Sequence, residues 1–151
     1  MDRQPADWHY DADRAAGSEF ESIRDQADLD GPFVDSKTKG ITLELVGTET
    51  IEGQQTQKVE ITRKSGKSQL LFLSVETGLE VKTISEVEQA GIKLTVESFF
   101  LDYKPVEGIT FAHKIRQNIT GPQSTQLSIT VEKIEMLSDI DDGIFAMPAK
   151  P

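Results

Sequence analysis

Few residues of this 151-residue chain are of types that could carry catalysis. Its two histidines are His9, in a polar N-terminal segment, and His113, in a row of alternating apolar residues, and there is no cysteine. A single histidine on an apolar row is more often a packed, hydrogen-bonded residue than a catalyst. No serine and aspartate stand at a spacing that would complete a nucleophilic triad with either histidine. The sequence therefore predicts that the protein is not an enzyme, and it predicts no cofactor.

Acidic residues offer a second kind of chemistry, which is cation binding. The stretch 26–37 resembles a calcium-binding loop, yet its last position, where such a loop needs a bidentate glutamate, is Lys37. The acidic residues of 139–142 are predicted to begin a short helical turn that seats Phe145 against a sheet. Glycines stand singly, and none builds a phosphate-binding loop before a helix. We therefore predict neither a metal site nor a nucleotide site.

The remaining chemical resource is apolar surface on an acidic chain. Sixteen basic and 26 acidic residues give a formal charge of −10, which repels phosphate backbones and predicts no nucleic-acid partner. Hydrophobic residues make up 36% of the chain, enough for one core and hence a single domain. The longest apolar run is Leu70–Leu73, far short of the roughly 18 residues that indicate a membrane-spanning helix.

Alternation of apolar and polar residues predicts that strands position this surface. In 99–115, two alternating runs flank Glu107-Gly108, the pattern of a tight antiparallel hairpin. The same rhythm extends from residue 41 to 137 and predicts a meander in a curved sheet of about seven strands. The predicted strands are 41–51, 55–63, 68–75, 79–89, 91–103, 109–120 and 125–137. Leu70–Leu73 is apolar at every position, which predicts a strand covered on both faces, and a change of parity after Lys133 predicts a bulge in the last strand.

The N-terminal part of the chain is predicted to be different. Residues 1–16 are polar and are expected to form an arm or the remnant of a longer N-terminal part, ahead of a single β domain over 17–151. Ser18 and Glu21 have the spacing of a capping box, and a short helix is predicted to run from there to about Ala27. Its apolar side would pack on the sheet.

Several segments together resemble the LolA-like outer-membrane lipoprotein-sorting proteins, which are periplasmic carriers. The resemblance rests on FFLDYKPVEGITFAHKI (Phe99–Ile115), IDDGIFAMP (Ile140–Pro148), LFLSVETGLEVK (Leu71–Lys82), LVGTETIEGQQTQKVEIT (Leu45–Thr62) and ADLDGPFVD (Ala27–Asp35). It covers about residues 25–148 and corresponds to the C-terminal part of the family pattern. We therefore expect the chain to be a piece of an exported protein whose signal peptide lies outside this sequence.

The resemblance implies a mainly β half-barrel whose concave side forms a hydrophobic cavity for lipid or lipoprotein acyl chains. We accordingly expect a non-enzymatic periplasmic carrier. The alternative is a closed interaction module of the bacterial cell envelope that carries no lipid. Expected partners are acyl chains, an envelope protein, and a second copy of the chain through an exposed sheet edge. The residues predicted to line the cavity are Leu43, Leu45, Phe72, Phe99, Leu101, Tyr103, Phe111 and Ile115.

Overall fold

The computed structural model, which describes residues 27–89 and 91–146, is mainly β. Seven antiparallel strands form one open sheet in which each strand lies beside its neighbours in sequence. The strands are β1 (Thr42–Ile51), β2 (Gln54–Thr62), β3 (Ser68–Ser74), β4 (Glu80–Gln89), β5 (Ile92–Val106), β6 (Ile109–Thr120) and β7 (Thr125–Thr130). The predicted seven-strand meander is confirmed, and the sheet fits the predicted mainly β, half-barrel class.

Two of the hairpins close with the residues that their turn geometry requires. Glu52 and Gly53 join β1 to β2 with φ of 49° and 80°, and Glu107 and Gly108 join β5 to β6 with φ of 48° and 88°. Positive φ at both central residues is the type I′ conformation, whose twist matches that of the flanking strands. Because glycine adopts positive φ without steric cost, these pairs set the hairpin register locally.

Alternation along the strands gives the sheet two distinct faces, each with its own apolar cluster. Leu71 and Phe72 are both 1% exposed although they point to opposite faces, so β3 is covered on both sides, as predicted. Phe72 packs with Ile51, Val81 and Phe99 on one face. On the other face Leu71 packs with Ile41 and Ile61.

A short segment before the sheet is tied to it by one lysine. Helix α1 (Ser36–Lys39) is a single turn that ends at Gly40, whose φ is 70°. The Lys39 ammonium lies 2.6 Å from an Asp28 carboxylate oxygen and 3.0 Å from the carbonyl oxygen of Gly31. This ion pair holds the lead-in of the chain against the start of β1. The predicted arm 1–16 and the body of the predicted helix from Ser18 lie outside the described residues.

The chain after β6 departs from the prediction. Strand β7 ends at Thr130, so the bulge predicted after Lys133 is wrong, because residues 131–141 are in no strand. The alternation of apolar and polar residues indicates which side chains face a core. It does not indicate whether the segment continues to pair with the adjacent strand. The predicted helical turn is confirmed as a 3-10 turn (Asp142–Phe145) whose first free amide, that of Gly143, binds the Asp141 carboxylate. Phe145 is 75% exposed, so its predicted seating against the sheet is wrong.

No helix among the described residues is both long and apolar enough to cross a membrane.

Candidate functional site

One face of the sheet carries apolar side chains from its first strand to its last, and we call it the apolar face. Cross-strand pairing places Leu45 opposite Val59, which lies opposite Leu71, and at the far side it places Ile115 opposite Ile129. The apolar residues of this face are Leu43, Leu45, Val59, Ile61, Leu71, Leu73, Val87, Leu94, Val96, Phe100, Phe111, Ile115, Ile119, Leu127 and Ile129. Strand pairing thus assembles residues that are up to 86 positions apart, from 43 to 129, on one surface.

The two edges of the apolar face are open to solvent. Leu45 on β1 is 62% exposed, and Leu127 and Ile129 on β7 are 45% and 43% exposed. Exposed apolar side chains at both edges of one face mark a surface that can accept an apolar partner.

The centre of the apolar face is built from small polar side chains. Thr83 on β4 and Ser98 on β5 lie in the cross-strand row that begins with Leu71. The Gln117 side-chain amide donates a hydrogen bond to the Ser98 hydroxyl at 3.0 Å, which satisfies this buried serine. Ser98 is only 7% exposed, and the apolar side chains of Val96 and Phe100 flank it on the same face of β5.

The opposite face, here the charged face, carries a row in which cations alternate with aromatic rings. Cross-strand pairs give the order Lys58, Phe72, Lys82, Phe99 and Arg116. Each cation lies within 4.5 to 5.7 Å of a ring centre, a range typical of cation–π contacts.

Carboxylates complete the charged face. Glu97 lies 2.5 Å from the Lys82 ammonium, and Glu52 lies 2.6 Å from the Arg116 guanidinium. The cations on this row are therefore engaged by rings and carboxylates of the same sheet. By contrast, the exposed apolar side chains of Leu45, Leu127 and Ile129 lie on the apolar face.

An open cleft of about 470 Å³, here called the cavity, lies at the end of the sheet near the β3–β4 turn. Its walls include Phe33, Leu73, Leu79 and Tyr103, with Glu80 as a charged member. Leu73 also packs against the buried cluster of the apolar face, so the cavity adjoins that face.

Two polar groups of the cavity are perturbed by their surroundings. The Tyr103 hydroxyl donates a hydrogen bond of 2.8 Å to the carbonyl oxygen of Glu80. Burial, together with the negative charge of Glu80, raises the pKa of Tyr103 to about 12. Glu80 is an exposed residue overall, yet desolvation at the cavity wall raises the pKa of its carboxyl. A carboxylate thus stands beside aromatic and aliphatic walls.

The eight residues predicted to line one cavity are divided by the structure among several places. Phe72, Phe99 and Leu101 pack together on the charged face. Leu43, Leu45, Phe111 and Ile115 lie on the apolar face. Tyr103 lines the cavity described above. Whether any of them contacts a ligand stays a prediction.

Three residues that line the cavity, Leu73, Phe33 and Glu80, were not predicted from the sequence. Leu73 joins the cavity to the apolar face, while Phe33 and Glu80 complete the cavity walls. The alternation of 70–73 already separates Leu73 from Phe72, so parity could have found Leu73. Phe33 comes from the lead-in before β1, and no local pattern predicts its place beside Tyr103.

Two of the residues considered for catalysis and metal binding, His113 and Asp28, have structural partners, and His9 lies outside the described residues. His113 is 6% exposed, and its Nδ1 atom lies 3.0 Å from the Phe111 carbonyl oxygen. Both carboxylate oxygens of Asp28, in the stretch that resembles a calcium loop, accept hydrogen bonds from Lys39. Within residues 27–89 and 91–146, no three His, Cys, Asp or Glu side chains are grouped so that they could hold a metal ion.

Comparison of the chain with protein-family models, with curated proteins and with solved structures found no match. The resemblance to lipoprotein carriers therefore stays a prediction, and a function must be inferred from the residues and geometry of the two faces.

Proposed function

We propose that this protein is a non-enzymatic carrier that shields the acyl chains of lipids or lipoproteins on its apolar face. The observation that carries the proposal is an open sheet whose apolar face is exposed at both edges, at Leu45 and at Leu127 and Ile129. An acyl chain needs apolar area and no specific polar contact.

Hydrocarbon burial supplies enough free energy for such a role. Each methylene moved from water to an apolar surface is worth about 0.8 kcal/mol. Ten methylenes would contribute about 8 kcal/mol, which corresponds to a dissociation constant near 1 μM before the cost of ordering the chain is subtracted. A single acyl chain is therefore held reversibly, as a carrier requires.

The resemblance to the LolA-like carriers extends the proposal to a cellular compartment. A carrier of this type would act in the periplasm, take part in outer-membrane lipoprotein sorting, and meet an envelope protein that delivers or receives the cargo. The formal charge of −10 supports release into an aqueous compartment, because it opposes lasting adsorption to anionic lipid headgroups.

Native mass spectrometry of protein purified from bacteria, followed by lipid analysis of an organic extract, tests the proposal directly. A co-purifying acyl lipid, or one that binds saturably on incubation, is expected. Leu127→Asp places a charge on the apolar face at an exposed position and should weaken lipid binding at least tenfold with little loss of stability. Ser128→Asp adds the same charge one residue along, opposite Arg116 on the charged face, and should leave lipid binding unchanged.

The alternative, an envelope interaction module without lipid cargo, is favoured by a different observation. All residues of β7 are exposed, and its outer edge has no partner strand among the described residues. Such an edge can pair with a strand of another protein or of a second copy of the chain. The amide of Ser128 points away from β6, toward this free edge. A protein that stays free of lipid in the mass spectrum, but forms dimers that Ser128→Pro abolishes, would support this alternative and contradict the carrier.

A further inference from the structure

The cavity near the β3–β4 turn has the chemistry of a cation site. The Glu80 carboxylate forms no ion pair with any residue in the described part of the chain. Among the described residues that line the cavity, it is the only charged group. The rings of Phe33 and Tyr103 line the same space. Aromatic rings beside a carboxylate attract ammonium groups, because the ring faces carry negative electrostatic potential and the carboxylate supplies the counter-charge. We propose that this cavity binds an organic ammonium group, with Glu80 as its counter-ion.

The hydrogen bonding of the cavity argues against an anionic ligand. The Tyr103 hydroxyl already donates its hydrogen bond to the Glu80 carbonyl oxygen, and no lysine or arginine is among the described residues that line the wall. Desolvation of the Glu80 carboxyl, which raises its pKa, is relieved when a cation takes the place of lost water. The overall charge of −10 also raises the local concentration of cations.

The position of the cavity indicates what the ammonium group is attached to. Leu79 and Leu73 provide an apolar wall, and Leu73 continues into the buried cluster of the apolar face. A ligand with an ammonium head and an alkyl tail would place its head beside Glu80 and its tail along Leu73. The cavity is open to solvent, and its volume of about 470 Å³ leaves room for a small ammonium head with a short alkyl tail.

This inference does not depend on the proposed carrier function, and a short-chain probe separates the two. Hexyltrimethylammonium should bind saturably in calorimetric or NMR titration, while hexanesulfonate, with the same tail and the opposite charge, should not bind. Dihexanoylphosphatidylcholine, kept below its micelle concentration, tests whether a lipid headgroup is accepted as well as a free alkylammonium. Leu127→Asp, remote from the cavity, should leave all three titrations unchanged even where it abolishes binding of long acyl chains.

Variants of the cavity wall make the proposal falsifiable. Glu80→Gln should weaken hexyltrimethylammonium binding about tenfold, because it removes the counter-charge and preserves the shape. Phe33→Leu should weaken binding about threefold, because it removes one ring from an exposed position that tolerates substitution. Glu86→Gln, at an exposed glutamate elsewhere on β4, is the matched control and should bind like the parent.

The proposal is overturned if no saturable binding occurs, if hexanesulfonate binds as well as the ammonium probe, or if Glu80→Gln binds the probe as tightly as Glu86→Gln does. Urea unfolding of each variant confirms that every titration is made on folded protein.

Discussion

Lys82 is the central cation of the charged face, and its removal tests whether that row stabilises the sheet. Its ammonium lies 5.7 Å from the ring centre of Phe72, 5.0 Å from that of Phe99 and 2.5 Å from a Glu97 oxygen, and its side chain is 12% exposed. Two cation–π contacts at about 0.5–1 kcal/mol each and one ion pair at about 0.2–1 kcal/mol sum to about 1–3 kcal/mol. Lys82→Met keeps the aliphatic stem and regains about 0.5 kcal/mol from contacts of sulfur with the rings.

We therefore expect Lys82→Met to lower the free energy of unfolding by about 1–2 kcal/mol, measured by urea denaturation. Lys93→Met, at an exposed lysine of β5, should change it by less than about 0.5 kcal/mol. Combining Lys82→Met with Phe99→Leu in a double-mutant cycle should give a coupling energy of about 0.5–1 kcal/mol. If Lys82→Met is as stable as the parent, or if the coupling energy is zero, the row contributes no stability and the reasoning fails.

Two further predictions concern the core and the cavity. Ile61 is fully buried, and Ile61→Ala should lower the free energy of unfolding by about 2–4 kcal/mol. Leu45→Ala, at a side chain that is 62% exposed, should lower it by less than about 1 kcal/mol. Equal losses would contradict the placement of Ile61 in a core. Because the pKa of Glu80 is raised, the folded state holds the carboxyl proton more tightly than the unfolded state does. The stability that this protonation contributes is therefore present at low pH and is lost as the pH rises through the pKa of the folded state. Glu80→Gln should therefore gain stability relative to the parent as the pH rises from below 4.5, the ordinary pKa of glutamate, to neutrality in urea melts. A stability difference that does not change with pH would refute the assignment.

The strands and turns were predictable because their signals are local. A period of two in 99–115 and positive-φ glycines such as Gly53 and Gly108 specify a strand or a turn within a few residues of chain. Six of the seven predicted strands agree with the structure to within a few residues at each end. The seventh does not, because the end of β7 depends on whether the chain after Thr130 stays beside β6, which nothing in that segment encodes.

For the candidate site, the sequence predicted the type of residue involved but not which face of the sheet each residue occupies. Sequence reasoning selected apolar residues by type and took Phe72 together with Leu43, although pairing puts them on opposite faces. Their parity in separate strands cannot be compared until the register is known, and irregularities such as the one between Leu45 and Gly47 change that register. The cavity was missed because Phe33 and Tyr103 meet only in the folded chain.

By itself, then, the sequence determined a mainly β meander, an acidic surface and a row of alternating apolar residues in most strands. These properties depend on composition and on the periodicity within single strands and turns, so they can be obtained from the sequence without a structure. Only the tertiary structure decided which rows share a face, which cations lie over rings and which carboxylate borders a cavity. Contacts such as Arg116 with Glu52, 64 residues apart, depend on the register of five successive hairpins, and no local pattern carries that information.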